Sequence, residues 1–280
     1  MAPKAFAAEA AVSPGRPVVD TSVYLARWPF RRIPCDETAE LVEMLRRHGV
    51  VQAWTGSFDG VFHKDVAAAN ARLAEECRTR GENFLVPFGT VNPKLPDWEE
   101  DLRRCREEHR MPGIRLHPSY HGYALDDPVF AHLLKAASQC GMIVQLAAWM
   151  EDERHQHPLM RVPAVDLAPL VGLLGDLPDL RIELLNAAHL PGDKRLPALV
   201  KAGEVFFDLA KLELIAGLGE LLKHVPVERI VFGSYSPMFY FESTLLKLRE
   251  SDLDEAQTAK ILEANARRLL AGSSREGAKS

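Results

Sequence analysis

Residues 113–147, GIRLHPSYHGYALDDPVFAHLLKAASQCGMIVQLA, decide how this chain folds. They open on Gly113-Ile114-Arg115-Leu116-His117, a short extended run, and turn helical at Asp127-Pro128. The helix ends near Gly141, and Met142-Ile143-Val144-Gln145-Leu146-Ala147 forms a second extended run. Two extended runs joined through a helix make a parallel βαβ unit of roughly 30 residues. Ile143 and Val144 are apolar in succession, as a strand covered on both faces requires.

The same alternation continues in both directions. Further strands are expected at 18–25, 50–54, 84–91, 181–185, 205–209 and 229–232. Helices are expected at 36–47, with Asp36 as N-cap, and at 64–79. Pro96-Asp97 opens a charged helix through Glu108, and others follow at 166–174, 196–201, 212–224, 242–249 and 254–270. Eight such units in about 250 residues favour an α/β chain folded as a single-domain (β/α)8 TIM barrel with an extra C-terminal helix. An open doubly wound sheet would carry a glycine-rich phosphate turn after its first strand. Asp20-Thr21-Ser22-Val23-Tyr24-Leu25 has none, so no dinucleotide site is expected. The barrel is placed at 17–271, between a disordered N-terminal tail (1–16) and a C-terminal tail (272–280).

The composition suits that reading. Of 280 residues, 47% are hydrophobic and 26% charged, and no apolar run reaches the roughly 20 residues a membrane helix needs. With 34 basic and 39 acidic side chains the formal charge is −5, which marks neither a nucleic-acid binder nor a polybasic membrane surface. The four cysteines, Cys35, Cys77, Cys105 and Cys140, form no Cys-x-x-Cys pair. Cys77 and Cys105, inside helical patterns, read as reduced packing residues, which fits a cytoplasmic protein.

In a barrel the chemistry gathers at the C-terminal ends of the strands. Those ends carry Ser22, Tyr24, Arg115, His117, Gln145, Asn186, Asp208 and Tyr235. Residues two apart on a strand share a face, so Ser22 with Tyr24, and Arg115 with His117, point the same way. An arginine and an imidazole in one mouth suit a small anionic substrate, because guanidinium grips carboxylate in a bidentate fork. Arg115 also admits a second reading, as the balance to a buried Asp20 or Asp208. Arg27, Arg31 and Arg32 beside Trp28 are a further candidate for attracting an anion. Trp28-Pro29-Phe30 and Phe239-Tyr240-Phe241 are candidates to floor an apolar pocket. His155 and His157 lie in a charged loop, where two histidines need help from elsewhere to hold a metal.

From Val18 to Leu270 the chain resembles the amidohydrolase-related family of metal-dependent hydrolases and decarboxylases on (β/α)8 barrels. The resemblance rests on Val18-Val19-Asp20, on Gly113 through Pro118, on Asp126-Asp127-Pro128 and on Arg229-Ile230-Val231-Phe232-Gly233-Ser234. The closing Asn265-Ala266-Arg267-Arg268-Leu269 is similar to the family's C-terminal helix. It implies a His-x-His metal pair on the first strand, where Ser22 and Tyr24 stand. It implies histidine ligands on the fifth and sixth strands, where Gln145 and Asn186 stand, with His189 three residues on. It also implies a metal-binding, proton-moving aspartate in Gly-Ser-Asp-x-Pro, where the chain has Gly233-Ser234-Tyr235-Ser236-Pro237.

Neutral Ser, Gln and Asn are poor substitutes for metal ligands, so the expectation is a lost metal site and no cofactor. Stoichiometric metal would mean a relocated site, using His117, His155 or His157. Two functions follow as expectations. One is metal-independent hydrolysis or decarboxylation of a small carboxylated substrate. In it Arg115 clamps the carboxylate, His117 or else Asp208 moves the proton, and Tyr24 or Tyr235 donates to developing oxyanion charge; Gln145, Asn186 and Ser22 line the substrate site. The other is a pseudoenzyme that binds a metabolite on the inherited barrel. No nucleic-acid or membrane partner is expected, and a homodimer fits the family.

Overall fold

The computed structural model of the protein describes residues 15–81, 83–189 and 191–272. Most of the two expected tails, 1–14 and 273–280, lies outside the described residues. Seven strands follow one another in space as in sequence: β1 (Val18–Leu25), β2 (Val50–Ser57), β3 (Leu85–Gly89), β4 (Gly113–Leu116), β5 (Ile143–Ala147), β6 (Arg181–Leu185) and β7 (Glu204–Phe207). Every neighbouring pair is parallel, and the connections carry the helices. The sheet curls like part of a barrel wall.

The expected eighth strand does not form a ladder of its own. The 229–232 run instead begins inside a short 3-10 turn, Val227–Arg229, and residues 230–236 join both sheet edges by single bridges. The Val231 N–H donates to the Phe207 carbonyl (2.9 Å), and the N–H groups of Thr21 and Tyr24 donate to Phe232 and Ser236 (2.9 and 2.8 Å).

Period two sorts the strand side chains into an outer and an inner set. Ile114 and Leu116, Val144 and Leu146, Ile182 and Leu184, and Val205 and Phe207 face the helices in one large core. Inward of the sheet lies a second cluster, Val19, Trp54, Phe88, Ile143, Phe206 and Val231, closed by Ala266 and Leu269 of the final helix. Arg115, Gln145 and Glu183 are register partners on β4, β5 and β6 and form a polar level inside the sheet. Aromatic residues at the strand ends, Tyr24, Trp28, Phe58 and Tyr235, pack into a third cluster.

Several helices depart from the sequence reading. Asp36 is no N-cap: the helix runs Thr38–Arg47, and Asp36 receives Nε and Nη2 of Arg32 (2.6 and 2.8 Å). The 212–224 helix shrinks to Gly217–Leu221, because Leu214 and Ala216 take left-handed backbone angles (φ 77° and 55°) that interrupt an α-helix. The closing helix is interrupted by a π-turn, Lys260–Ala264. Asp127 does cap Pro128–Gln139, accepting the Val129 N–H. The four cysteines are free thiols. No helix among the described residues is long and apolar enough to cross a membrane.

Candidate active site

The site begins with an irregularity in β1. Between Asp20 and Val23 the register advances three residues against two on β2, a bulge that switches which side chains face inward. Below it Val19 and Thr21 reach the interior, and above it Tyr24 does. Two groups of the expected residues meet there.

The first group surrounds Arg115, which is fully buried. Its Nη1 donates to the Val23 carbonyl (2.6 Å), its Nη2 to Thr21 (3.2 Å) and Trp54 (3.1 Å), and its Nε to Gln145 Oε1 (2.8 Å). The guanidinium also lies 4.5 Å from the Tyr24 ring centre. Gly56 makes the room, since a Cβ there would sit 2.8 Å from Arg115 Cδ. Gln145 spends its amide on the Thr21 carbonyl and Glu183 Oε2 (both 2.7 Å). Tyr24 Oη and His117 Nε2 share a hydrogen bond of 3.1 Å. Tyr235 closes edge-on against Tyr24, its hydroxyl donating to the Met150 carbonyl (2.8 Å).

The second group centres on Asp208. One oxygen accepts the Asn186 N–H (2.8 Å). The other has no hydrogen-bond partner, nor do Ser22 Oγ, either side-chain atom of Asn186, or His117 Nδ1. Ser22 and Asp208 crowd Gly233 together: a Cβ there would meet their Cβ atoms at 3.0 and 2.7 Å. Asn186 and Tyr235 both hold left-handed backbone angles (φ 59°). Asparagine tolerates that conformation, but for tyrosine it is rare and needs a surrounding frame. Ser234 supplies it through Asp20, which accepts its N–H and Oγ–H (2.9 and 2.5 Å), and the Ser236 N–H donates to Ser234 Oγ (3.0 Å).

Burial sets the proton affinities. Desolvation raises Asp208 to about 7, Asp20 to about 6 and Glu183 to about 8, each against hydrogen bonds that lower it. His117 is held well below its ordinary value, first by burial and then by the charges of His121 and Arg115, so its imidazole is neutral at pH 7. Burial also pushes the Tyr24 phenol up to about 12. A protonated Glu183 explains an otherwise over-committed hydroxyl. Thr21 Oγ1 lies 2.5 Å from Glu183 and 3.1 Å from the Phe232 carbonyl but has one proton; a Glu183 O–H can donate to Thr21, which donates onward.

Other expected groups are committed elsewhere. Arg27, Arg31 and Arg32 pair with Glu37, Glu151 and Asp36. His155 and His157 are exposed, and His157 stacks on Phe30. Trp28 packs against Phe58 and Phe62, and Phe239 against Tyr235. The sequence reading passed over Glu183 and Lys211. A lone acid between Ile182 and Leu184 was the available signal for the first.

A buried acid, unpaired polar atoms and an aromatic cover thus gather at the strand ends of a parallel, barrel-like α/β sheet. The amidohydrolase family model matches residues 25–271, and the chain belongs to that family. Among solved structures it is similar to a 2,6-dihydroxybenzoate decarboxylase from Rhizobium (TM-score 0.72, 16% identity, covering 91% of this chain and 99% of that one). It is also similar to a 5-carboxyvanillate decarboxylase from Sphingomonas paucimobilis (TM-score 0.72, 15%, 91% and 99%). A third, a 5-carboxyvanillate decarboxylase from Novosphingobium aromaticivorans complexed with manganese and a nitrobenzoic acid, gives a TM-score of 0.72 (15%, 92% and 96%). A comparison with curated proteins finds no match.

Manganese in such a relative raises the question of fit. Of the five positions where ligands are expected, Tyr24, Gln145 and Tyr235 are spent on His117, Glu183 and Met150, and Ser22 and Asn186 are neutral. The Arg115 cation stands against Tyr24 among them. Among the described residues no three His, Cys, Asp or Glu side chains gather as a ligand group. A divalent ion wants several anionic or imidazole donors, so this donor set does not fit one.

Proposed function

We propose that this chain turns over a small carboxylated substrate, by decarboxylation or hydrolysis, using Asp208 as the proton-transferring group and no resident metal. We read residues 230–236 as the eighth stave of a closed barrel spanning 17–271, with the site at its mouth. The observation that carries the reading is Asp208 itself: a buried carboxyl raised to about 7, one oxygen unpaired, with Ser22 across Gly233 and Asn186 beside it also carrying unpaired side-chain atoms. A general acid or base works best with a pKa near the operating pH. Decarboxylation needs a proton delivered to carbon as carbon dioxide leaves, and hydrolysis needs one removed from water. Asp208 is matched to either task, while the neutral, weakly basic His117 orients Tyr24.

Arg115 enters this reading as a positioning residue. With four hydrogen bonds to the protein it holds β1, β2 and β5 in register beneath the site. Decarboxylating activity in three relatives of the same fold supports the substrate class. The test measures carbon dioxide and acid release from a panel of carboxylated aromatics, after chelation and again with manganese. Turnover that survives chelation and falls at least 100-fold in Asp208→Asn is expected. Activity appearing only with manganese, or unchanged in Asp208→Asn, would refute the proposal.

The packing of Tyr24, Phe58 and Tyr235 over Arg115 favours a second reading, a binding protein without turnover. Ligand binding with no product from any member of the panel would select it.

A further inference from the structure

Three residues beyond Asp208, Lys211 leaves the end of β7 with only 7% of its surface exposed. Its Nζ sits 3.3 Å from the centre of the Trp149 ring and 5.8 Å from that of Phe239. Trp149 also meets His189 edge-on at 4.7 Å, and Phe239 packs on Tyr235, so the ammonium stands in the aromatic wall above the site. A lysine so covered ordinarily has an acid beside it.

Four carboxyl groups lie around Lys211, and none is within ion-pair distance of it among the described residues. Glu151 is taken by Arg31, Asp152 by Arg154 at 2.7 Å, and Glu213 faces His189 at 3.5 Å. Asp208 is the fourth and accepts from Asn186. The ring face satisfies the charge in part, and among the described residues no acceptor is hydrogen-bonded to Nζ. Burial pulls the ammonium down to about 8, against the fields of Asp152, Glu213, Glu151 and Asp208, so the cation is still the major form at pH 7. Such a cation, largely covered, beside flat apolar surfaces and with its neighbouring acids engaged elsewhere, is suited to pair with an anion.

We propose that Lys211 is the carboxylate anchor of the site, its ammonium receiving the carboxylate of a small aromatic acid whose ring lies along Trp149 and Phe239. This rests on the function proposed above and names its binding group, while four of the five Arg115 N–H donors are spent on three carbonyls and Gln145.

Benzoate and its neutral isostere benzamide are the probes, titrated against the full-length protein by calorimetry or ligand-observed NMR. Wild type should bind benzoate at least tenfold more tightly than benzamide. Lys211→Met should lose that tenfold preference, and Lys211→Arg should keep it. Lys211→Gln is carried in parallel, so that a folding failure of the methionine variant does not end the test. Benzamide binding as well as benzoate, no benzoate binding to wild type, or unchanged affinity in Lys211→Met or Lys211→Gln would each overturn the proposal. Binding is read without turnover, which separates the two claims. Benzoate held through Lys211 by a protein that turns nothing over keeps the anchor and sinks the catalytic reading. Turnover undiminished in Lys211→Met does the reverse.

Discussion

Arg115 shows what a single buried charge can be asked to do. Its guanidinium joins carbonyls of β1 and β2 to the Gln145 side chain on β5, and no water-exposed surface remains on it. Removing such a cation leaves acceptors unpaired and Asp20 without its nearby positive field. Breaking a buried charged network by deleting one member costs about 3–5 kcal/mol. Arg115→Met should lower unfolding free energy by that order in urea titration. Lysine should not rescue it, because one ammonium cannot reproduce a fork that serves four acceptors in fixed directions. Asp208 is the opposite kind of residue, buried but under-satisfied. Asp208→Asn removes a titrating group whose neutral form the interior already favours, so it should leave stability within about 1 kcal/mol or raise it, which separates any loss of the proposed turnover from unfolding.

At the level of elements, the closing helix holds the 230–236 segment. Asn265 Nδ2 donates to the carbonyls of Val227 and Ile230 (both 2.8 Å), and the Ile261 carbonyl within the π-turn accepts the Phe232 N–H (3.0 Å). Residues 230–236 lack a ladder, and these side contacts replace part of it. Asn265→Ala would leave two buried carbonyls poorly satisfied, at about 1–3 kcal/mol. Amide exchange should then speed up first at Val231 and Phe232, whereas uniform exchange over the whole sheet would count against this role. The bulge in β1 is the other decisive element. It lets Thr21 reach Glu183 and Tyr24 reach His117 from one strand, which strict alternation forbids.

For the whole molecule, three acids and one guanidinium share a single interior. The folded values of Glu183, Asp208 and Asp20, about 8, 7 and 6, all lie above those of an unfolded chain. Below about pH 6.5 the depressed His117 and His121 oppose this, since they take up protons on unfolding, but from there to about pH 8 the native state holds more protons than the unfolded state. Stability must fall as pH rises through that window, by up to about 1.4 kcal/mol per pH unit for each group. Denaturant titrations at pH 6.5 and 8 should show the higher stability at the lower pH. Glu183→Gln should flatten the upper part of the slope, and a profile rising from pH 6.5 to 8 would contradict the buried, protonated state.

The order of the parallel strands and the residue types at their C-terminal ends were legible in the chain itself. They follow from apolar periodicity and residue identity, which are local properties. What Arg115 and Lys211 do was not legible. Arg115 stands on a strand, where an inward guanidinium could face substrate or protein, and the Val23, Thr21 and Trp54 carbonyls that it meets come from strands distant in sequence. Lys211 lies in a stretch read as adjoining a helix, and its aromatic neighbours come from three other connections. Solvation and proton affinity depend on every group within several ångströms, most of them distant in sequence. A sequence determines which charges a protein carries, and folding decides which of them are left without a partner.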